Sequence, residues 1–192
     1  MIKASDVKIS HIANLPTTHG DFKMQSFVYK DREHLVIFTK ELSDAPIVRM
    51  HSECLTGDAL GSLKCDCGAQ LNSALDMINR RNDGMLIYLR QEGRGIGLLN
   101  KVNAYALQDK GYDTIEANVA LGFRADERTY DIAEFILKYF KIKKIRLITN
   151  NPNKISALKT TEVLERIETI MPRNMHNENY LDIKKTKSGH LL

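Results

Sequence analysis

A mixed α/β fold in one domain is predicted by three observations. Short apolar runs of strand length fill the first third of the chain, and strand-like and helix-like runs alternate after it. That succession is the pattern of an α/β or α+β domain on a mixed sheet. A length of 192 residues suffices to bury a single core. No Gly/Ser/Pro-rich linker, internal repeat or low-complexity segment divides the chain, and prolines number only four. The expected architecture is therefore one α/β (α+β) domain over 1–192, a mixed β-sheet with flanking helices.

The elements follow in order. Phe22 to Tyr29, Leu35 to Thr39 and Ile47 to Met50 are strand-like, with turn chemistry at Asp31-Arg32-Glu33 and Ser43-Asp44-Ala45-Pro46. Ala69 to Arg81 reads as a helix with Leu71, Leu75 and Ile78 on one face, and Asn82-Asp83-Gly84 ends it. Met85 to Leu89 is a buried strand, and Leu98 to Asp109 a helix stopped by Lys110-Gly111. Asp126 to Phe140 is the most periodic helix, with Ile132, Ile136 and Phe140 four apart and Ala133 and Leu137 beside them. Ile145 to Thr149 is a strand, Ile155 to Leu164 a helix and Ile167 to Met171 a short strand. The basic stretch from Lys184 onward is expected to be an exposed, mobile tail. Met50, Met77 and Met85 read as core filler. Periodicity does not give the strand order.

Composition excludes several classes. No apolar run approaches the length of a membrane span, and Met1-Ile2-Lys3-Ala4-Ser5-Asp6 lacks the apolar stretch of a secretory signal, so a cytoplasmic location is expected. Lys+Arg 28 against Asp+Glu 24 gives a net charge of +4, with a pI of about 8.9. That balance suits an anionic ligand without demanding nucleic acid. A nucleic-acid module would interleave basic residues with aromatics. The Lys141 to Arg146 cluster has little of this, and the acids Glu53, Glu92 and Asp126 occupy the distinctive motifs. No nucleic acid and no membrane partner are expected.

All three cysteines fall between Cys54 and Cys67. An odd count in a cytosolic chain argues against a disulfide framework. Two thiolates one residue apart, Cys65 and Cys67, can grip one ion if the backbone turns sharply, and Gly68 offers that freedom. With Cys54 they make three ligands and leave a fourth tetrahedral position open, the mark of a catalytic zinc. Two other readings stand beside it: a structural zinc with His51 as fourth ligand, and small buried thiols without metal. His51-Ser52-Glu53 also matches half of the zinc deaminase signature, but no proline precedes the later cysteine pair.

Phosphate chemistry is suggested at three junctions. Arg90-Gln91-Glu92-Gly93-Arg94-Gly95-Ile96-Gly97 links a strand to a helix, and two arginines flank its glycines. Its spacing matches no dinucleotide or Walker fingerprint, so a plain tight turn is an equal reading. Lys154, in Thr149-Asn150-Asn151-Pro152-Asn153-Lys154, and Arg128, after Asp126-Glu127, each fall at an expected helix start, where a cation opposes the dipole unless an anion binds there. Asp126, Asn151 or Asn153 can equally be plain helix caps. Tyr105 fits core or site. His11, His19, His34, His176 and His190 carry no spacing that suggests a site.

Together, Arg49-Met50-His51-Ser52-Glu53-Cys54-Leu55-Thr56-Gly57-Asp58, Lys64-Cys65-Asp66-Cys67-Gly68, Arg90 to Gly97 and Thr149-Asn150-Asn151-Pro152 resemble GTP cyclohydrolase II. The resemblance runs from about Leu15 to Leu192, with departures around Lys159 to Pro172 that touch no motif residue. It implies one zinc per subunit on Cys54, Cys65 and Cys67. It implies GTP binding by Arg49, Glu53, Gln70, Glu92, Gly93, Arg94, Thr114, Thr149 and Lys154. Asp126 falls at the position of a proposed proton acceptor, Arg128 at that of a proposed nucleophile, and Tyr105 matches a tyrosine linked to completing the ring opening. The implied reaction removes C8 of guanine as formate, releases diphosphate and opens riboflavin biosynthesis. It uses magnesium with the GTP phosphates, in a homodimer. Some relatives add a domain for dihydroxybutanone phosphate synthesis, for which 192 residues leave no room. A guanidinium is a poor nucleophile, so Arg128 as an electrostatic clamp is the alternative. Glu53 or Glu92 is the acid expected to read guanine.

Overall fold

The computed structural model describes residues 2–187 and 189–191, with Asn179 described by its backbone alone. The N-terminal part supplies β1 (Lys8–Ile9), β2 (Ala13–Thr17), β3 (Gly20–Tyr29) and β4 (Arg32–Phe38). β5 (Ile47–Ser52), α1 (Leu55–Asp58), α2 (Cys67–Arg81), β6 (Gly84–Leu89) and α3 (Gly97–Gln108) follow. After them come α4 (Thr114–Ala120), α5 (Asp131–Tyr139), β7 (Lys144–Ile148), α6 (Pro152–Ser156), β8 (Glu162–Ile167) and α7 (Glu178–Thr186).

The strands form one mixed sheet in the order β1-β3-β4-β6-β5-β7-β8, with β2 also on β3. β3 and β4 form a hairpin in which Tyr29 faces Arg32. The two residues between, Lys30 and Asp31, take φ 48° and 59°, the left-handed pair that matches the twist of a two-residue hairpin. From β6 onward the sheet becomes parallel: β5 pairs with β6 and β7, and β7 with β8. A parallel neighbour needs a crossover, and α2 provides it between β5 and β6.

Alternation along the central strands divides the core between the two faces. Val48, Met50, Met85, Ile87 and Leu89 pack with Ile132, Ala133, Ile136 and Leu137 of α5. Ile47 and Leu86 pack with Ala74, Leu75 and Ile78 of α2. Burying each large side chain is worth about 1.5–3 kcal/mol. Met50 and Met85 are core residues as expected, and Met77 packs against the α2 core from its edge.

Four expectations are corrected. The helix expected from Asp126 begins at Asp131, because the Asp126 carboxylate accepts from the Arg128 backbone and side chain and holds that segment in a turn. The helix expected over Ile155 to Leu164 ends at Ser156, and Glu162–Ile167 is the edge strand β8. Its pairing with β7 overrides a short apolar run that reads either way. The strand expected over Ile167 to Met171 keeps only Ile167. The stretch expected as a tail is, over 184–186, the last turn of α7, anchored by buried Leu181 and Ile183; Lys184 is itself buried, while Lys185, Thr186 and Lys187 are exposed as expected. Ser188 and Leu192 lie outside the described residues.

His34 on β4 is buried and accepts from the Arg90 backbone N–H at 3.1 Å. Burial, then the charges of Arg32 and Arg90, lowers its pKa to about 4 from 6.5. The folded state therefore holds His34 neutral while the unfolded chain takes up a proton below 6.5. Stability is full above that value and is lost as pH falls from 6.5 toward about 4. The melting temperature should drop across that window, and His34→Asn should flatten the drop. An unchanged slope in the variant would contradict this assignment.

Candidate active and metal site

Because β5, β6 and β7 run parallel, their carboxyl ends open on one side, where ligands bind in such sheets. Glu53 and Cys54 follow β5, Arg90 to Arg94 follow β6, and Thr149 to Asn151 follow β7. α2, α3 and α7 complete the walls of one cleft.

The cysteines converge there. Cys54 caps α1, and Cys67 opens α2. Cys54 and Cys65 sulfurs lie 3.7 Å apart, and all three sulfurs lie within 4.8 Å of one another. Tetrahedral zinc with Zn–S bonds of about 2.3 Å spaces its sulfurs by roughly 3.8 Å, so the set fits that ion. The space is reserved by glycine: a Cβ on Gly57 would stand 2.7 Å from Cys65 Sγ and 3.2 Å from Cys54 Sγ. Gly68 serves closeness rather than the expected backbone freedom, since a Cβ on it would reach within 2.2 Å of the Gly57 carbonyl. The hydrogen bonds from Cys65 and then Cys67, with Lys101 adding its charge, hold Cys54 far below the ordinary thiol value. The same bonds push Cys65 up to about 11 and Cys67 well above the ordinary value.

His51 is not a fourth ligand. Its Nε2 lies 3.1 Å from both Asp58 oxygens, and its ring stacks on Tyr88. Asp58 also accepts from the Cys54 backbone N–H at 3.0 Å and from the Tyr88 hydroxyl at 2.8 Å. His51 and Asp58 therefore brace the loop, and the group able to hold a metal ion among the described residues is made of the three cysteines.

The glycine turn forms the cleft's rim through Gly93 and Arg94. Glu92–Gly95 is a kinked turn in which Gly93 and Arg94 leave the helical region for left-handed φ values of 62° and 60°. Arg94 thus sits in a conformation that costs about 1 kcal/mol or more for a side-chain-bearing residue. The Glu92 carboxylate accepts from Leu55 N at 2.6 Å, Gly93 N at 2.8 Å and Lys101 Nζ at 2.7 Å. Glu53 pairs with Arg90 Nε at 3.0 Å.

Cations line the opposite wall. Arg49 donates to the Ile148 carbonyl at 3.2 Å and to Gln70 Oε1 at 2.6 Å, and its Nε is buried without a partner among the described residues. Gln70 donates to Asp66, which pairs with Lys184 at 2.6 Å. Lys154 does occupy the first turn of a helix, and its Nζ donates to the Met50 carbonyl at 2.6 Å. Burial, then repulsion by Arg49, Arg128 and Lys184, pushes its pKa well below the ordinary lysine value. Arg128 Nε and Nη2 donate to the two Asp126 oxygens at 2.9 and 2.6 Å. Against burial, this pair keeps Arg128 above and Asp126 below their ordinary values. Arg49, Glu53, Gln70, Glu92, Gly93, Arg94, Tyr105, Thr114, Arg128, Thr149, Lys154 and the three cysteines all line the cleft, while Asp126 stands behind Arg128.

The sequence model of the family described as GTP cyclohydrolase II matches residues 8–168. This chain belongs to the GTP cyclohydrolase II family. It is 57% identical over 190 residues to GTP cyclohydrolase-2 of Helicobacter pylori strain P12, covering 97% of this chain and 98% of that one. It is 56% identical over 187 residues to the GTP cyclohydrolase-2 of Campylobacter hominis, covering 97% and 96% of the two chains. A solved two-domain 3,4-dihydroxy-2-butanone 4-phosphate synthase from A. baumannii overlays 86% of this chain and 41% of its own at 18% identity, with a TM-score of 0.47.

Several cleft residues escaped sequence reasoning. Lys101 lies four residues before Tyr105 on α3, a helical spacing that could have revealed it. Tyr180 and Lys184 share the same spacing on α7, but the basic run suggested solvent. His190, set aside for want of spacing, lines the cleft because the Leu191 N–H reaches the Asn150 carbonyl at 2.9 Å and folds the chain end over it. Nothing local in the sequence announces that contact.

Proposed function

We propose that this member of the GTP cyclohydrolase II family converts GTP to 2,5-diamino-6-(5-phosphoribosylamino)pyrimidin-4(3H)-one, formate and diphosphate, the first step of riboflavin biosynthesis. One observation carries the reading: a three-cysteine cluster able to hold a metal ion shares its cleft with Arg49, Arg94, Arg128 and Lys154. Hydrolysis at C8 needs the first, and a triphosphate needs the second. One zinc per subunit on Cys54, Cys65 and Cys67 would supply a Lewis acid and an activated water.

The chain's own groups divide the remaining work. Burial, against a hydrogen bond with Thr56, raises the Tyr105 pKa, so its hydroxyl keeps the proton it would donate to a departing ring nitrogen. Arg128, firmly protonated and aimed by Asp126, suits a clamp on the α-phosphate better than a nucleophile. Asp126, held as carboxylate by that pair, is a weak base and acts by orienting Arg128. Lys154, Arg49, Gln70, Thr114, Thr149 and Gly93 frame the nucleotide. Three protein donors already engage Glu92, which leaves Glu53 the freer acid for the guanine edge. Magnesium arrives with the phosphates. Exposed Leu98, Leu99 and Val102 on α3 supply an apolar face for a homodimer. The expected location is the cytoplasm, where thiols stay reduced. No helix among the described residues is long and apolar enough to cross a membrane.

Incubation with GTP, zinc and magnesium should release formate and diphosphate in equal amounts with the pyrimidinone. Glu53→Gln should narrow the preference for GTP over inosine triphosphate, which lacks the 2-amino group. Ammonia without formate would overturn the reading.

A further inference from the structure

Lys101 stands apart from the cleft's other cations. Its side chain is buried on α3, facing the sulfurs. Nζ lies 3.2 Å from Cys54 Sγ and 2.7 Å from Glu92 Oε1. Glu92 is itself fixed by the backbone N–H groups of Leu55, the residue after Cys54, and of Gly93. The ammonium is therefore held in place between a metal-ligand sulfur and a carboxylate anchored to the same loop.

A charged N–H···S bond is stronger than a neutral one and draws electron density from the sulfur. Three thiolates on one divalent ion are strongly donating and blunt its Lewis acidity. Groups outside the ligand set tune a metal by such bonds. We propose that Lys101, oriented by Glu92, is the positioning residue that tunes the metal: its bond to Cys54 Sγ drains one thiolate and keeps the ion acidic enough for hydrolysis. This rests on the zinc reading proposed above, and it gives Glu92 a role in the metal site in place of base recognition.

The test uses the full chain loaded with cobalt(II) in place of zinc, whose sulfur-to-metal charge-transfer band reports thiolate electron density. Lys101→Met removes charge and donor at similar volume, and Lys101→Gln keeps a neutral donor. The band should move to longer wavelength in Lys101→Met and less far in Lys101→Gln. With zinc, kcat for GTP should fall about 10- to 100-fold while KM changes by less than about threefold. A folded Lys101→Met protein with one bound cobalt and an unmoved band overturns the proposal. A raised KM with an unmoved band also overturns it, by making Lys101 a substrate contact. If Lys101→Met fails to fold or to hold metal, an unmoved band in Lys101→Gln overturns it alone. A parent protein that binds neither metal rejects the zinc reading instead, so the two failures are distinct.

Discussion

Replacing Cys65 by serine is expected to abolish formate release and leave the fold intact. Cys65 lies on the loop between α1 and α2 and belongs to neither hydrophobic core. Its sulfur meets Cys54 Sγ at 3.7 Å, so its removal breaks the three-ligand set without touching the α2 or α5 packing. A serine hydroxyl stays protonated near neutrality and does not replace a thiolate on zinc. Lewis-acid stabilisation is worth several kcal/mol, and each 1.36 kcal/mol is a factor of ten, so formate release should fall by at least about 1000-fold. Atomic spectroscopy should find about one zinc per parent subunit and close to none in the variant. Circular dichroism should be unchanged. A Cys65→Ser protein that keeps both zinc and parental turnover would remove the cluster from the mechanism. In the parent, a strong chelator should reproduce the loss, and added zinc should reverse it.

Arg128→Lys should lower kcat/KM for GTP by roughly 100- to 1000-fold, the cost of losing a preorganised donor to developing charge. Lysine keeps the charge but loses the planar fork that Asp126 grips through Nε and Nη2. Single-turnover quenching of the parent with labelled GTP should trap no phosphoramidate. Two observations motivate this result: the guanidinium pKa is raised by its pair with Asp126, and Asp126 is correspondingly a poor proton acceptor. A trapped adduct on Arg128 would establish the covalent route and reject the clamp. Equal activity in the lysine variant would remove the two-point geometry from catalysis.

Much of this site was legible residue by residue. The three cysteines, the arginines around Gly93 and the Thr149 to Lys154 junction stand out in the sequence because their chemistry is rare at such spacing. The expected strands at Ile47, Met85 and Ile145 and the helix after Ala69 appear with small shifts of boundary. The failures share a cause. A helix start at Asp126 was a sound local reading until its carboxylate turned to Arg128. Residues 162–167 became a strand because β7 offered them an edge. His51 reads as a ligand candidate until Asp58 is seen 3.1 Å away.

The sequence by itself determined the class of fold and the family and singled out the three cysteines as candidate metal ligands, because periodicity and motif spacing are properties of neighbours along the chain. Only the tertiary structure decided that β5, β6 and β7 lie parallel with their motif-bearing ends together. It alone set Lys101 against Cys54, engaged Glu92 with three protein donors and buried Lys184 beside Asp66. Those facts depend on which residues distant in the chain meet, and on charges that change meaning once water is excluded. No local pattern records either.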